Sequence, residues 1–148
     1  MAIFANAGLL GGALRVLSVM MGVFLVSMGL SKVDWLMDGQ ILAGQLQEWR
    51  GTVRPLARWY LDTIALPGAP VFARLVLAAE VAAGTALILG MRVRLAAALA
   101  LLMVLNFHVA ADVIFRYSYL TNDFGLPVLG GLLALAIGGT RLPFSVSR

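Results

Sequence analysis

Four apolar stretches, at roughly residues 10–31, 71–91, 95–115 and 124–140, take up more than half of this chain, and each is bounded by charge, glycine or proline. Stretches of about twenty apolar residues match the hydrocarbon thickness of a bilayer when helical. They predict an all-α, polytopic membrane protein: a four-transmembrane-helix bundle forming a single integral membrane domain over 1–148. Composition agrees, with 61% hydrophobic and 12% charged residues against roughly half and a quarter in soluble domains. No room remains for a soluble catalytic domain.

The second and third spans are joined by Met91-Arg92-Val93-Arg94 and must form an antiparallel hairpin. Orientation follows from the basic residues. With both termini cytoplasmic, the inside carries Arg15, Arg92, Arg94, Arg141 and Arg148, five positive charges and no negative one. The outside then carries Lys32, Arg50, Arg54, Arg58, Arg74 and Arg116 against Asp34, Asp38, Glu48, Asp62, Asp112 and Asp123, six against six. The first stretch lacks a small-residue cleavage site and reads as a retained helix.

Residues 34–69 are the one sizeable segment outside the spans and hold Trp35, Trp49 and Trp59. Leu42, Leu46, Trp49 and Val53 recur at helical spacing, as do Leu56, Trp59, Tyr60, Thr63 and Ile64 after Pro55. Two short amphipathic helices lying flat in the headgroup layer as an external lid are expected, either sealing the bundle or serving as a substrate gate or docking surface. Inside the spans, Ser18 with Gly22 and Gly130 with Ala134 and Gly138 repeat every four residues, predicting flat faces for close helix packing.

With no cysteine and one histidine, thiol relays, thiolate metal ligands and a multi-histidine haem or copper site are excluded, so no metal site is expected within the chain. The pI near 10.4 does not indicate nucleic acid, because the basic residues are spread singly along the chain. The partners expected are the lipid bilayer and other membrane protein subunits.

The chemistry-bearing residues are few. Glu80 lies near the middle of the apolar run Leu75–Gly90, where an ionised carboxylate needs a partner. His108, Asp112 and Arg116 share one face of the third span at i, i+4, i+8. A hairpin turn centred near residue 93 sets Arg74 level with Asp112, predicting a salt bridge, and Glu80 level with Asn106, within a turn of His108. The catalytic candidates are therefore Glu80 and His108, and Arg74, Asp112 and Asn106 complete the polar set. A buried acid beside a histidine either locks helices together or exchanges protons at neutral pH and hydrogen-bonds a quinone.

Arg15, Gly22 and Gly29-x-x-Lys32, then Pro67 and Pro70 ahead of Glu80-x-x-x-Gly84-x-x-Leu87-x-x-Gly90-x-x-x-Arg94, resemble the DoxX family over about 15–140. That family is related to the small subunit of thiosulfate:quinone oxidoreductase. The resemblance implies a multi-pass protein of the bacterial inner membrane, linked to quinone or sulfur redox systems and partnered with other proteins. Its motif falls on Arg15, Lys32, Glu80, Gly84, Gly90 and Arg94. The chain departs from it at Arg141-Leu142-Pro143, where the family often carries an acid. Two functions follow: a non-catalytic accessory subunit anchoring or stabilising a membrane redox complex, or a quinone-linked oxidoreductase subunit whose protons Glu80 and His108 handle. The accessory reading is preferred because it needs no cofactor within the chain. A small transporter ranks third, since there is one buried acid and no broken helix pair.

Overall fold

A computed structural model describes residues 2–114, 116–122 and 124–146, with side chains from Gly8 onward in the first helix. Phe115, Asp123 and Arg148, which enter the expected spans and charge count, lie outside the described residues. Every regular element among the described residues is helical. The order is α1 (Ala2–Leu30), a 3-10 turn (Val33–Leu36), α2 (Gln40–Thr52), α3 (Pro55–Tyr60), a π segment (Leu61–Ala65), α4 (Leu66–Leu89), α5 (Val93–Ala110), a 3-10 turn (Tyr117–Thr121) and α6 (Leu126–Gly138).

Among the described residues, three helices are long and apolar enough to cross a membrane: Gly8–Leu30, Pro55–Leu89 and Val93–Ala110. The fourth apolar helix, α6, has 13 residues and rises about 20 Å, roughly two thirds of the hydrocarbon core. The third span stops at Ala110, short of the expected end near 115. The second departs further. From Pro55 to Leu89 the chain is one helix of 35 residues, so what was expected to be the second lid helix is the first part of the second apolar helix. Pro67 and Pro70 read as a boundary because neither can donate to the carbonyl four residues back. The backbone instead widens into the π segment just ahead of them, where Leu66 N–H bonds to Leu61 O. A wider turn gives the proline rings room, and the helix continues through them.

A helix, α2, forms where the spacing of Leu42 and Leu46 predicts one. α2 buries Leu42 and Leu46 against Ala65, Ala69 and Ala73 of the long helix, with Val53 and Trp35 closing the ends of this cluster. Gly39 sits against Pro70, where a Cβ would approach the proline Cα to 3.0 Å. Arg50 on α2 is ion-paired with Asp62 on the long helix.

A second core joins α1, α4, α5 and α6 through Leu25, Leu87, Ala97, Ala100, Leu132 and Leu135. The close approach of α1 to α4 depends on glycine. A Cβ on Gly22 would lie 2.6 Å from Gly84 O, and one on Gly84 2.7 Å from Gly22 O. On α6 the expected small-residue face is displaced: Gly130 and Ala134 are exposed, while Gly131 meets Met21 and Gly138 meets Leu14. The buried side is carried by Val128, Leu132 and Leu135. The expected hairpin is present. Gly90 ends α4 at φ +71°, and Met91 N–H reaches back to Ala86 O at 2.8 Å, a glycine-dependent helix stop.

Candidate functional site

Lys32 follows the end of α1 and folds its side chain back into the bundle, where Nζ donates to both Glu80 oxygens, at 2.9 Å to Oε1 and 2.7 Å to Oε2. A third donation goes to Met28 O at 2.9 Å. An ammonium has three protons to give, so these acceptors account for all of them. Glu80 is only 6% exposed, and the sharing of two desolvated charges offsets the cost of burying each. Gly29 makes room for this. A Cβ there would sit 2.7 Å from Val81 Cγ2 and 3.3 Å from Glu80 Cβ, so the glycine lets the end of α1 lie against α4 at the carboxylate. Gly29-x-x-Lys32 and Glu80 are thus two halves of one contact.

The pairing corrects the expected one. Glu80 bonds neither Asn106 nor His108. Asn106 Oδ1 accepts from Tyr60 OH at 2.7 Å, and His108 Nδ1 shares a 2.8 Å hydrogen bond with Tyr119 OH, the two rings meeting edge to face at 5.2 Å. Equal depth along a hairpin does not fix which face a side chain points from, since each residue turns about 100° around the helix. His108 nonetheless shares a space with Glu80. Both line a cavity of about 160 Å³, together with Lys32, Gln45 and the aromatic rings of Trp35, Trp49, Phe24, Phe107 and Phe124. Lys32 Nζ stands 5.8 Å from the centre of the Trp35 ring, within cation–π range.

Asp112 also has a different partner from the one the register suggested. Arg54 Nε lies 3.0 and 2.9 Å from its two oxygens, Nη2 reaches Oδ1 at 2.6 Å, and the Arg54 backbone N–H donates to Oδ2 at 3.2 Å. Arg74 instead donates to Pro70 O of its own helix at 3.1 Å. Arg54 was hidden because it lies on the connection between α2 and α3, away from the hairpin. Asp112 follows the end of α5 at φ +55°, so the helical stripe His108, Asp112, Arg116 is broken after His108. Hydrogen bonding from the Arg54 guanidinium holds the Asp112 carboxyl below the usual carboxylate range.

The other motif residues close helix ends. Arg15 on α1 donates to Leu87 O at 3.0 Å and Ile88 O at 2.6 Å, and Ser18 Oγ joins it on Leu87 O at 2.8 Å. Arg94 Nε donates to Ala136 O on α6 at 3.0 Å. Cations at the carbonyl ends of helices satisfy orphan acceptors and complement the dipole. Among the described residues, no group of three or more histidine, aspartate or glutamate side chains is placed to hold a metal ion.

The family model described as DoxX matches residues 13–112. No curated protein and no solved structure gives a significant match.

Proposed function

The chain belongs to the DoxX family, and from that premise we propose that it is an integral membrane accessory subunit that anchors or stabilises a larger membrane redox complex. We place it in the bacterial inner membrane, multi-pass, with both termini cytoplasmic. The observation that carries this reading is the closed hydrogen bonding of the Lys32–Glu80 pair. A carboxylate accepting from one ammonium at both oxygens, buried where α1 meets α4, is arranged to hold two helices in register. Arg15 and Arg94 serve packing in the same way, each on main-chain carbonyls. The apolar side chains that α1, α5 and α6 leave exposed, such as Met20, Leu99, Leu102 and Ile137, are surfaces for lipid and for partner helices. The test is purification of the chain from its native membrane in mild detergent, with identification of what accompanies it. A membrane redox protein retained in stoichiometric amount supports the proposal; a chain that purifies alone, from membranes whose redox activities are unchanged by its deletion, removes it.

One observation favours a second reading. The aromatic-walled cavity brings His108, Lys32 and Glu80 around one space. In a quinone-linked oxidoreductase subunit, a quinone headgroup stacked there would lie beside the Lys32–Glu80 pair, and Glu80 with His108 would handle the accompanying proton. Glu80→Gln separates the two readings, since it keeps the size of the side chain and removes its titratable proton. A complex that assembles at normal levels and turns over normally supports the accessory role. Normal assembly with strongly impaired quinone-linked turnover makes Glu80 a working acid and base.

A further inference from the structure

At the hairpin end of the bundle, Arg92, Arg94 and Arg141 line one cavity of about 550 Å³ with Thr140, Ser145 and the backbone of Gly90 and Gly139. All seven acidic side chains of the chain lie in the segments 34–62, 80 and 112–123, so none is among the residues lining this space. Arg94 is set in place by its bond to Ala136 O. Three arginines around one space, with no acid on its wall, suit a phosphate.

A second cavity adjoins the arginines. Arg92 and Leu95 also line this one, of about 430 Å³, which runs away from the bundle end between α4 and α5. Its walls are Ala79, Ala82, Ala83 and Ala86 on one helix and Leu99 and Met103 on the other, apolar throughout apart from Arg92. From Leu95 to Met103 it extends about 12 Å along α5 at the helical rise. A cationic cup beside an apolar groove of that length, sharing Arg92 and Leu95 with it, has the two-part character of a phospholipid. Basic pockets at the ends of membrane helices are suited to lipid headgroups.

We propose that the two adjoining cavities bind one anionic phospholipid, with its phosphate on Arg94 and Arg141 and an acyl chain along the alanine-lined groove between α4 and α5. The arginines supply charge recognition. The small side chains of α4 supply the space, which a larger residue would fill.

The test uses the purified full-length chain in detergent, stripped of lipid and then titrated with dioleoyl phosphatidylglycerol, dioleoyl phosphatidylcholine or inorganic phosphate, with bound molecules counted by native mass spectrometry. Retention of one phosphatidylglycerol over phosphatidylcholine is expected. The double variant Arg94→Gln, Arg141→Gln should weaken it by roughly tenfold or more. Because Arg94 also holds Ala136 O, Arg141→Gln alone, on the exposed C-terminal segment, should weaken it in the same direction while leaving the melting temperature of the lipid-free protein unchanged. Ala82→Phe keeps the arginines and fills the groove, and should also reduce binding. Equal retention of the two lipids, or binding unaffected by Arg141→Gln, overturns the proposal. Inorganic phosphate binding as tightly as the lipid, with Ala82→Phe silent, assigns the site to a free phosphate and overturns the lipid assignment.

Discussion

Gly22 and Gly84 face each other across the α1–α4 contact so closely that a Cβ on either would stand 2.6–2.7 Å from the other's carbonyl oxygen. Backbone, not a flexible side chain, is the obstacle. Gly84→Ala should therefore push the helices apart and destabilise the bundle by roughly 1–3 kcal/mol, read as a lower melting temperature in detergent. Gly22→Ala should do the same, and the double variant should cost less than the sum, because the first alanine has already opened the contact. Strict additivity would show that the two glycines do not share one contact.

Lys32 and Glu80 differ in what each leaves behind. Lys32→Met strands a carboxylate in a cavity among aromatic rings, and breaking a buried pair in this way costs on the order of 3–5 kcal/mol. Accumulation in the membrane should fall sharply. Adding Glu80→Gln to Lys32→Met removes the stranded charge and should restore much of the loss. If the double variant accumulates no better than Lys32→Met alone, the ion pair is not what holds α1 on α4.

Arg54 and Asp112 give a pH signature. The folded Asp112 carboxyl is held below its usual range by Arg54, so its contribution to stability is complete above the unfolded pKa, near 3.9, and is lost as pH falls through the lower folded value. Wild-type protein should thus exceed Asp112→Asn in melting temperature at pH 7, with the gap closing below about pH 4. Arg54→Ala should reproduce the neutral-pH loss. Arg74→Ala should change stability by no more than about 0.5 kcal/mol, as for an ordinary surface position. A larger effect at Arg74 than at Arg54 would reinstate the pairing suggested by the hairpin register.

What could be read from the sequence was set by periodicity and by local chemistry. The apolar runs mark the helices, the short Met91–Arg94 joint marks the hairpin, and Leu42 and Leu46 mark the face of α2 that is buried. The residues of the site were also visible, since Lys32 and Glu80 both stand in the family string. Their pairing was not. By sequence Lys32 stands among the charges outside the spans, and only its four-carbon stem folding back brings it to Glu80. Likewise Pro67 and Pro70 carry a strong helix-stop signal, and nothing local announces the π segment that lets the helix pass. Depth matching failed for Asp112 because its partner comes from a connection 58 residues away, a distance that no hairpin register contains.

The arrangement of the chain ends makes the orientation testable with cysteines, of which the natural chain has none. Val146 N–H donates to Leu89 O at 3.1 Å, and Arg94 reaches Ala136 O, so the α4–α5 turn and the segment after α6 share one end of the bundle. Arg15 lies at that same end, on Leu87 and Ile88. The basic residues gathered there favour the cytoplasmic side. Cysteine at Met91 or at Thr140, both exposed, should resist a membrane-impermeant maleimide in intact spheroplasts and react after permeabilisation. Cysteine at Gly51, in the exposed last turn of α2, should react in both. Labelling of Met91→Cys and Thr140→Cys from the outside, with Gly51→Cys protected, would invert the orientation. Labelling of one of the first two but not the other would be more damaging, because it would place on opposite sides of the membrane two segments that are hydrogen-bonded to each other.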